Sequence, residues 1–133
     1  MNIEAFLLCD FASDEHGKLT VVGAFDSIFA TKVPIVHPAC TLAARIRFER
    51  IEEGDHQVRV DVVDEDGKPV VPRLDAKISV PLREDVASSL VNLVLHLQRL
   101  KFEKYGDYSI NLAIDGKVEG SLPFSVRQVP NQP

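Results

Sequence analysis

Four histidines and two cysteines are the side chains in this 133-residue chain best suited to hold a metal or to act as nucleophile and base, and their spacing speaks against both. His16, His37, His56 and His96 lie far apart, and none belongs to a His-x-x-x-His or Cys-x-x-Cys pair that would set two ligands on one element. Asp64-Glu65-Asp66-Gly67 has the acidity of a calcium loop without its alternate ligands or distal Glu, and reads as a turn. Cys40 has His37 three residues before it, but no third group to orient the pair can be named. Cys9 falls at an apolar strand position, where a thiol is a small inert core residue. Asp10 and Asp26, considered as paired carboxylates, sit where strands bend or end and suit bonding to local backbone. The glycines are scattered, and Gly17, Gly67 and Gly116 precede lysines in hairpin turns, so no loop cradles a phosphate. The expectation is a protein that is not an enzyme and needs no cofactor.

A weaker constellation is acidic. Glu15, Glu53, Asp55 and Asp115, with Glu84 and Asp85 nearby in kind, fall on turns that share one end if the strands run alternately up and down. They are candidates for a cation or a basic partner only if their oxygens converge; otherwise they are solvated turns of an acidic protein.

The elements that would position these residues are strands. Ile3, Ala5, Leu7, Cys9 and Phe11 alternate with polar residues, and a three-residue loop at Glu15-His16-Gly17-Lys18 predicts a hairpin setting Cys9 opposite Gly23, Phe11 opposite Val21 and Leu7 opposite Phe25. The phase slips at Asp26 and Ser27, which predicts a bulge. Residues 31–38 hold two prolines and read as a connection. Leu42, Ala44, Ile46 and Phe48 point inward, as do Val58, Val60 and Val62; a hairpin centred on Gly54 would pair Glu49 with Arg59 and Arg47 with Asp61. Leu74, Ala76, Ile78 and Val80 form another alternating run, and 82–89 is polar with room for a helical turn.

Residues 90–102 fit period two, though Leu90, Leu93, Val94, Leu97 and Leu100 fit a helix almost as well; we read a strand that shifts phase from Arg99. The last hairpin buries Tyr108, Ile110 and Leu112 against Leu122, Phe124 and Val126 around the turn at Asp115-Gly116-Lys117, and 129–133 is a flexible tail. About eight short strands in one domain predict an all-β, antiparallel two-sheet sandwich.

The opening Met1-Asn2-Ile3-Glu4-Ala5-Phe6-Leu7-Leu8-Cys9-Asp10, with Gly17-Lys18-Leu19, Val22-Gly23-Ala24-Phe25-Asp26, Arg45-Ile46-Arg47-Phe48 and Gly106-Asp107-Tyr108, resembles a family of short bacterial proteins of unknown function. The resemblance implies a stand-alone β-domain and brings no activity, cofactor or catalytic residue with it. Gly106-Asp107-Tyr108 also looks like the corner of immunoglobulin-like sandwiches, in which a Tyr hydroxyl bonds back to the backbone, although the chain has no Trp and no suitably placed Cys pair.

Composition narrows the partners. A net charge of −5 disfavours a phosphate-backbone binder, which needs a positive surface, so nucleic acid is not expected. No apolar run reaches the roughly 20 residues of a membrane span, and the acidic start is unlike a secretory leader; a cytoplasmic protein with reduced thiols is expected. Phe6, Leu8 and Val22, with Ala24 and Phe29, point away from the expected core face, so either a helical 90–102 or a second subunit should cover them. The reading is a non-catalytic interaction domain that self-associates through the sheet bearing Phe6, Leu8 and Val22; the alternative is a cation- or small-ligand-binding sandwich that uses the acidic end.

Overall fold

The computed structural model describes residues 1–81 and 84–130. Within them the alternating runs form nine strands: β1 (Asn2–Glu15), β2 (Lys18–Ala24), β3 (Ser27–Ala30), β4 (Ile35–Glu49), β5 (Gly54–Val63), β6 (Leu74–Val80), β7 (Ser88–Phe102), β8 (Gly106–Ile114) and β9 (Lys117–Gln128). They make a four-stranded sheet ordered β2-β1-β4-β7 and a five-stranded sheet ordered β3-β9-β8-β5-β6. Two half-buried sheets must share a core, and the inward residues read from the period of two supply it. Leu42, Ala44, Ile46 and Phe48 meet Val58, Val60, Val62, Tyr108, Ile110, Leu112, Phe124 and Val126, each at most 4% exposed. The Tyr108 hydroxyl donates to the Lys104 carbonyl at 2.6 Å, the back-bonded corner expected at the start of β8.

Residues 90–102 are strand, paired with β4 from Ser88 to Phe102. The phase shift falls at Arg99, whose φ of 54° lies in the left-handed region. Opposite it stands Pro38, inside β4 and not in a preceding connection. A proline has no N–H to give the ladder, so pairing skips from His37 with Leu100 to Ala39 with Gln98.

Four further expectations fail, each for a physical reason. The first hairpin turns on two residues, not three, because His16 and Gly17 both take positive φ, 54° and 80°. Cys9 therefore faces Ala24 and Phe11 faces Val22. Secondly, the register of β1 on β4 shifts between Ile3 and Ala5, which flips the strand's phase. Ile3, Phe6 and Leu8 turn toward the second sheet, where Phe6 lies over Gly120, so Phe6 and Leu8 leave the predicted surface patch. Val22, Ala24 and Phe29 stay exposed, Val22 at 53% and Phe29 at 57%, and Phe11 stands beside Val22 at 51%. Cys9 faces outward but is covered: the β1–β2 hairpin curls across the sheet, packing Cys9 and Ala12 against Ala43, Leu19, Val21 and Val94. Arg45 and Asn92 reach up to the Gly17 carbonyl at 3.3 and 3.1 Å.

The slip at Asp26 is thirdly no bulge. The chain changes sheets there, and β3 runs parallel to β9 from Ser27 with Ser125 to Ala30 with Gln128. Finally, β4 and β5 form no hairpin. A 3-10 turn, Arg50–Glu52, carries the chain into the other sheet, so the expected Glu49–Arg59 and Arg47–Asp61 pairs are replaced. Arg47 bonds Glu4 at 2.6 Å, Arg59 bonds Asp75 at 3.2 Å and Arg73 bonds Asp61 at 2.8 Å. Of the predicted helical turn over 82–89, residues 82 and 83 lie outside the described residues, as do 131–133 of the predicted tail; 84 and 85 form a turn.

Candidate functional site

The side chains with chemical potential are kept apart. His37 and Cys40 lie three residues apart on β4, where the kink at Pro38 leaves both on the inner side, beside Leu100 and Leu97, but no hydrogen bond joins them and the buried His37 Nε2 has no partner among the described residues. Cys40 is 2% exposed, and burial pushes its thiol up to about 11; burial also raises that of Cys9, whose Sγ donates to the Thr41 carbonyl at 3.4 Å. Asp26 accepts from the Ser27 hydroxyl at 3.1 Å, a side-chain contact in place of the backbone bond expected of it. Asp10 and His37 both line an open groove of about 330 Å³ with Phe25 and Phe29.

The acidic turns are engaged one by one. Asp55 accepts Ser79 Oγ at 2.6 Å and Lys77 Nζ at 3.0 Å, and both hold its carboxyl below the usual range. Asp115 bonds His56 and the Gln57 N–H. Glu15 is exposed at the tip of the first hairpin, and Glu53 follows the 3-10 turn. Among the described residues no three His, Cys, Asp or Glu side chains are placed to hold a metal ion.

His56 is held at both ring nitrogens. Its Nδ1 meets Asp115 Oδ2 at 2.5 Å, its Nε2 meets the Glu52 carbonyl at 2.5 Å, and its ring stacks on Phe48 with centroids 5.1 Å apart. Both partners are acceptors, so only the doubly protonated ring satisfies both. The Glu52 carbonyl first, and then the Asp115 carboxylate, raise His56 above the ordinary value of 6.5, while His56 holds Asp115 below the carboxylate range. A raised folded-state value gives stability that is complete below the unfolded value and is lost as pH rises through the folded one. Depression of Asp115 gives the opposite limb, lost as pH falls through its lowered value. The urea midpoint is therefore expected to fall as pH rises above 6.5, and His56→Gln to flatten that fall; an equal fall in both proteins would overturn the assignment.

What the fold leaves open is an edge. β7 hydrogen-bonds β4 along one side, and among the described residues no strand pairs with its other side. Residues 88–98, reading Ser-Ser-Leu-Val-Asn-Leu-Val-Leu-His-Leu-Gln, contain no Asp, Glu, Lys or Arg. Edge strands are ordinarily guarded by lysines, prolines or bulges; here Arg99 is the first such guard. Toward that end β7 borders a groove of about 240 Å³, to which β7 contributes Leu97 and Leu100 and the opposite sheet side contributes Val62, Val71, Pro72 and Leu74. Sequence reasoning did not single out this edge, although the long run without formal charge was its signal.

Comparison with known proteins adds the family. No curated protein matches this sequence. Among solved structures, the Pseudomonas fluorescens alkylpurine DNA glycosylase AlkC bound to DNA containing an abasic site analog is similar at 11% identity and a TM-score of 0.48, over 77% of this chain and 28% of that one. A beta-glucosidase from Listeria innocua in complex with isofagomine is similar at 11% identity and a TM-score of 0.50, over 92% of this chain and 16% of that one. The chain thus spans under a third of either chain, and at 11% identity the likeness to the second concerns the fold alone. A family described as of unknown function (DUF6941) matches residues 4–127, nearly the whole β-sandwich, and the chain belongs to it.

Proposed function

We propose that this chain is a non-catalytic interaction domain of the cytoplasm that takes up an extended protein segment as an added strand along β7. The observation that carries the reading is the free side of β7 over an uncharged run of this length. In strand addition, main-chain hydrogen bonds supply affinity, and side-chain pockets beside the edge supply specificity. The groove walled by Val71, Pro72 and Leu74 is such a pocket. Two buried, uncrosslinked thiols suit a reducing compartment, and no helix among the described residues is long and apolar enough to cross a membrane.

The test compares proteins captured from cytosolic extract by the wild type, by His96→Lys/Gln98→Lys, which guards the β7 edge at two exposed positions, and by Thr20→Lys on the opposite edge strand β2. Loss of the same captured proteins from the β7 variant alone is expected. Equal capture by all three would overturn the reading.

A further inference from the structure

We infer that the groove between Asp10, Phe25, Phe29 and His37 binds a primary ammonium ion carried on a small apolar body. No residue of β7 lines it, and binding there does not depend on strand addition. The groove opens where the chain leaves β2 for β3. Its volume of about 330 Å³ falls at the low end of the roughly 300–1,000 Å³ typical of small-molecule sites.

Three observations give its chemistry. Asp10 follows Leu8 by two residues on β1, and residues two apart share a face of a strand, so its carboxylate continues the row that Leu8 begins in the core. A Cβ at Gly23 would collide with that carboxylate, so the missing side chain makes its room. Asp10 is exposed, and among the described residues no cation lies within ion-pair distance of it. No Lys or Arg lines the groove, and a cleft carrying one sign of charge draws the other. The second observation is aromatic. Phe29 is 57% exposed and Phe25 is partly buried, and aromatic faces attract ammonium groups while covering the apolar body behind them.

The third is His37. Its ring stands 6.0 Å from that of Phe25, and its Nε2 is the one buried side-chain nitrogen or oxygen without a partner among the described residues. With the proton on Nδ1 that nitrogen is an acceptor. The imidazole χ2 torsion is broad, so a turn of the ring offers Nε2 to a donor in the groove, and pairing removes the cost of a buried polar group left alone. An ammonium with N–H bonds satisfies both the carboxylate and this nitrogen. A quaternary one satisfies only the first.

The probe is phenethylammonium, titrated into the full chain from about 0.1 to 20 mM, a range suited to an open site with few polar contacts, and followed by amide NMR shifts. Saturable shifts confined to residues 10, 23–29 and 37 are expected. Phenethyl alcohol, similar in shape and uncharged, and phenylpropionate, of opposite charge, should bind at least about tenfold more weakly, as should the trimethylated amine, which has no N–H to give His37. Asp10→Asn, which keeps the shape beside Gly23, should weaken the amine about tenfold and leave the alcohol unchanged. No saturable shift, equal binding of the alcohol or the anion, or an amine affinity untouched by Asp10→Asn overturns the site. Equal binding of the trimethylated ion overturns the assignment to a primary ammonium. The comparison of probes on the wild type holds whether or not the variant folds.

Discussion

Phe102→Ala is expected to cost about 3–5 kcal/mol, the range for emptying a fully buried aromatic site, and thereby to remove much of the roughly 5–15 kcal/mol that stabilises a domain. Phe102 is fully buried at the end of β7. Its ring stands edge-on to Tyr108 at 5.0 Å and to Phe124 at 5.7 Å, while those two stack on each other at 5.5 Å. One ring comes from the four-stranded sheet and two from the five-stranded sheet, so the trio bolts the layers together. The cavity cannot close easily, because Tyr108 is tethered through its hydroxyl to Lys104 and Phe124 is paired across the ladder with Tyr108. Urea denaturation checks this, with Phe11→Ala as the comparison. Phe11 is half exposed, and its loss should cost under about 1 kcal/mol. Equal losses in the two variants would contradict the described core.

Gly23→Ala should be the next most damaging change, by about 1–3 kcal/mol. Gly23 has φ of 68°, where an L-residue is strained, and a Cβ there would lie 2.4 Å from Asp10 Oδ2. The loss has two separable parts. Adding Asp10→Ala removes the carboxylate and should return the steric share, leaving the cost of the backbone angle; recovery of the whole loss, or of none, would show that one of the two parts is absent. The pair sits where the first hairpin ends and the chain prepares to change sheets, so proteolysis of 20–30 should report the same ordering of variants.

What could be read from the sequence was which way side chains point within a strand, and what could not was which strands lie side by side. The inward sets of β4, β5, β8 and β9 follow from a period of two, because burial on one face leaves that mark in the residues themselves. Neighbours are another matter. Arg47 and Asp61 have the charges to face each other across a hairpin, yet their partners are Glu4 and Arg73, one distant in sequence and the other on the far side of β5. The slip after Phe25 looks the same whether it marks a bulge or a change of sheet, since either displaces the pattern by one residue. In β1 a single irregularity near Glu4 reversed the faces and placed Phe6 and Leu8 inside. The β7 edge was harder still. A free edge is a relation between strands, and only the missing lysines over 88–98 marked it.

The parallel run of β3 beside β9 has a mechanical consequence. Tension that draws the chain apart before residue 27 and after residue 128 pulls these two strands in opposite directions along their own length. The rungs from Ser27 to Ala30 then share the load at once, as rivets in a lap joint do, and the sandwich resists stretching at the seam where it is shortest.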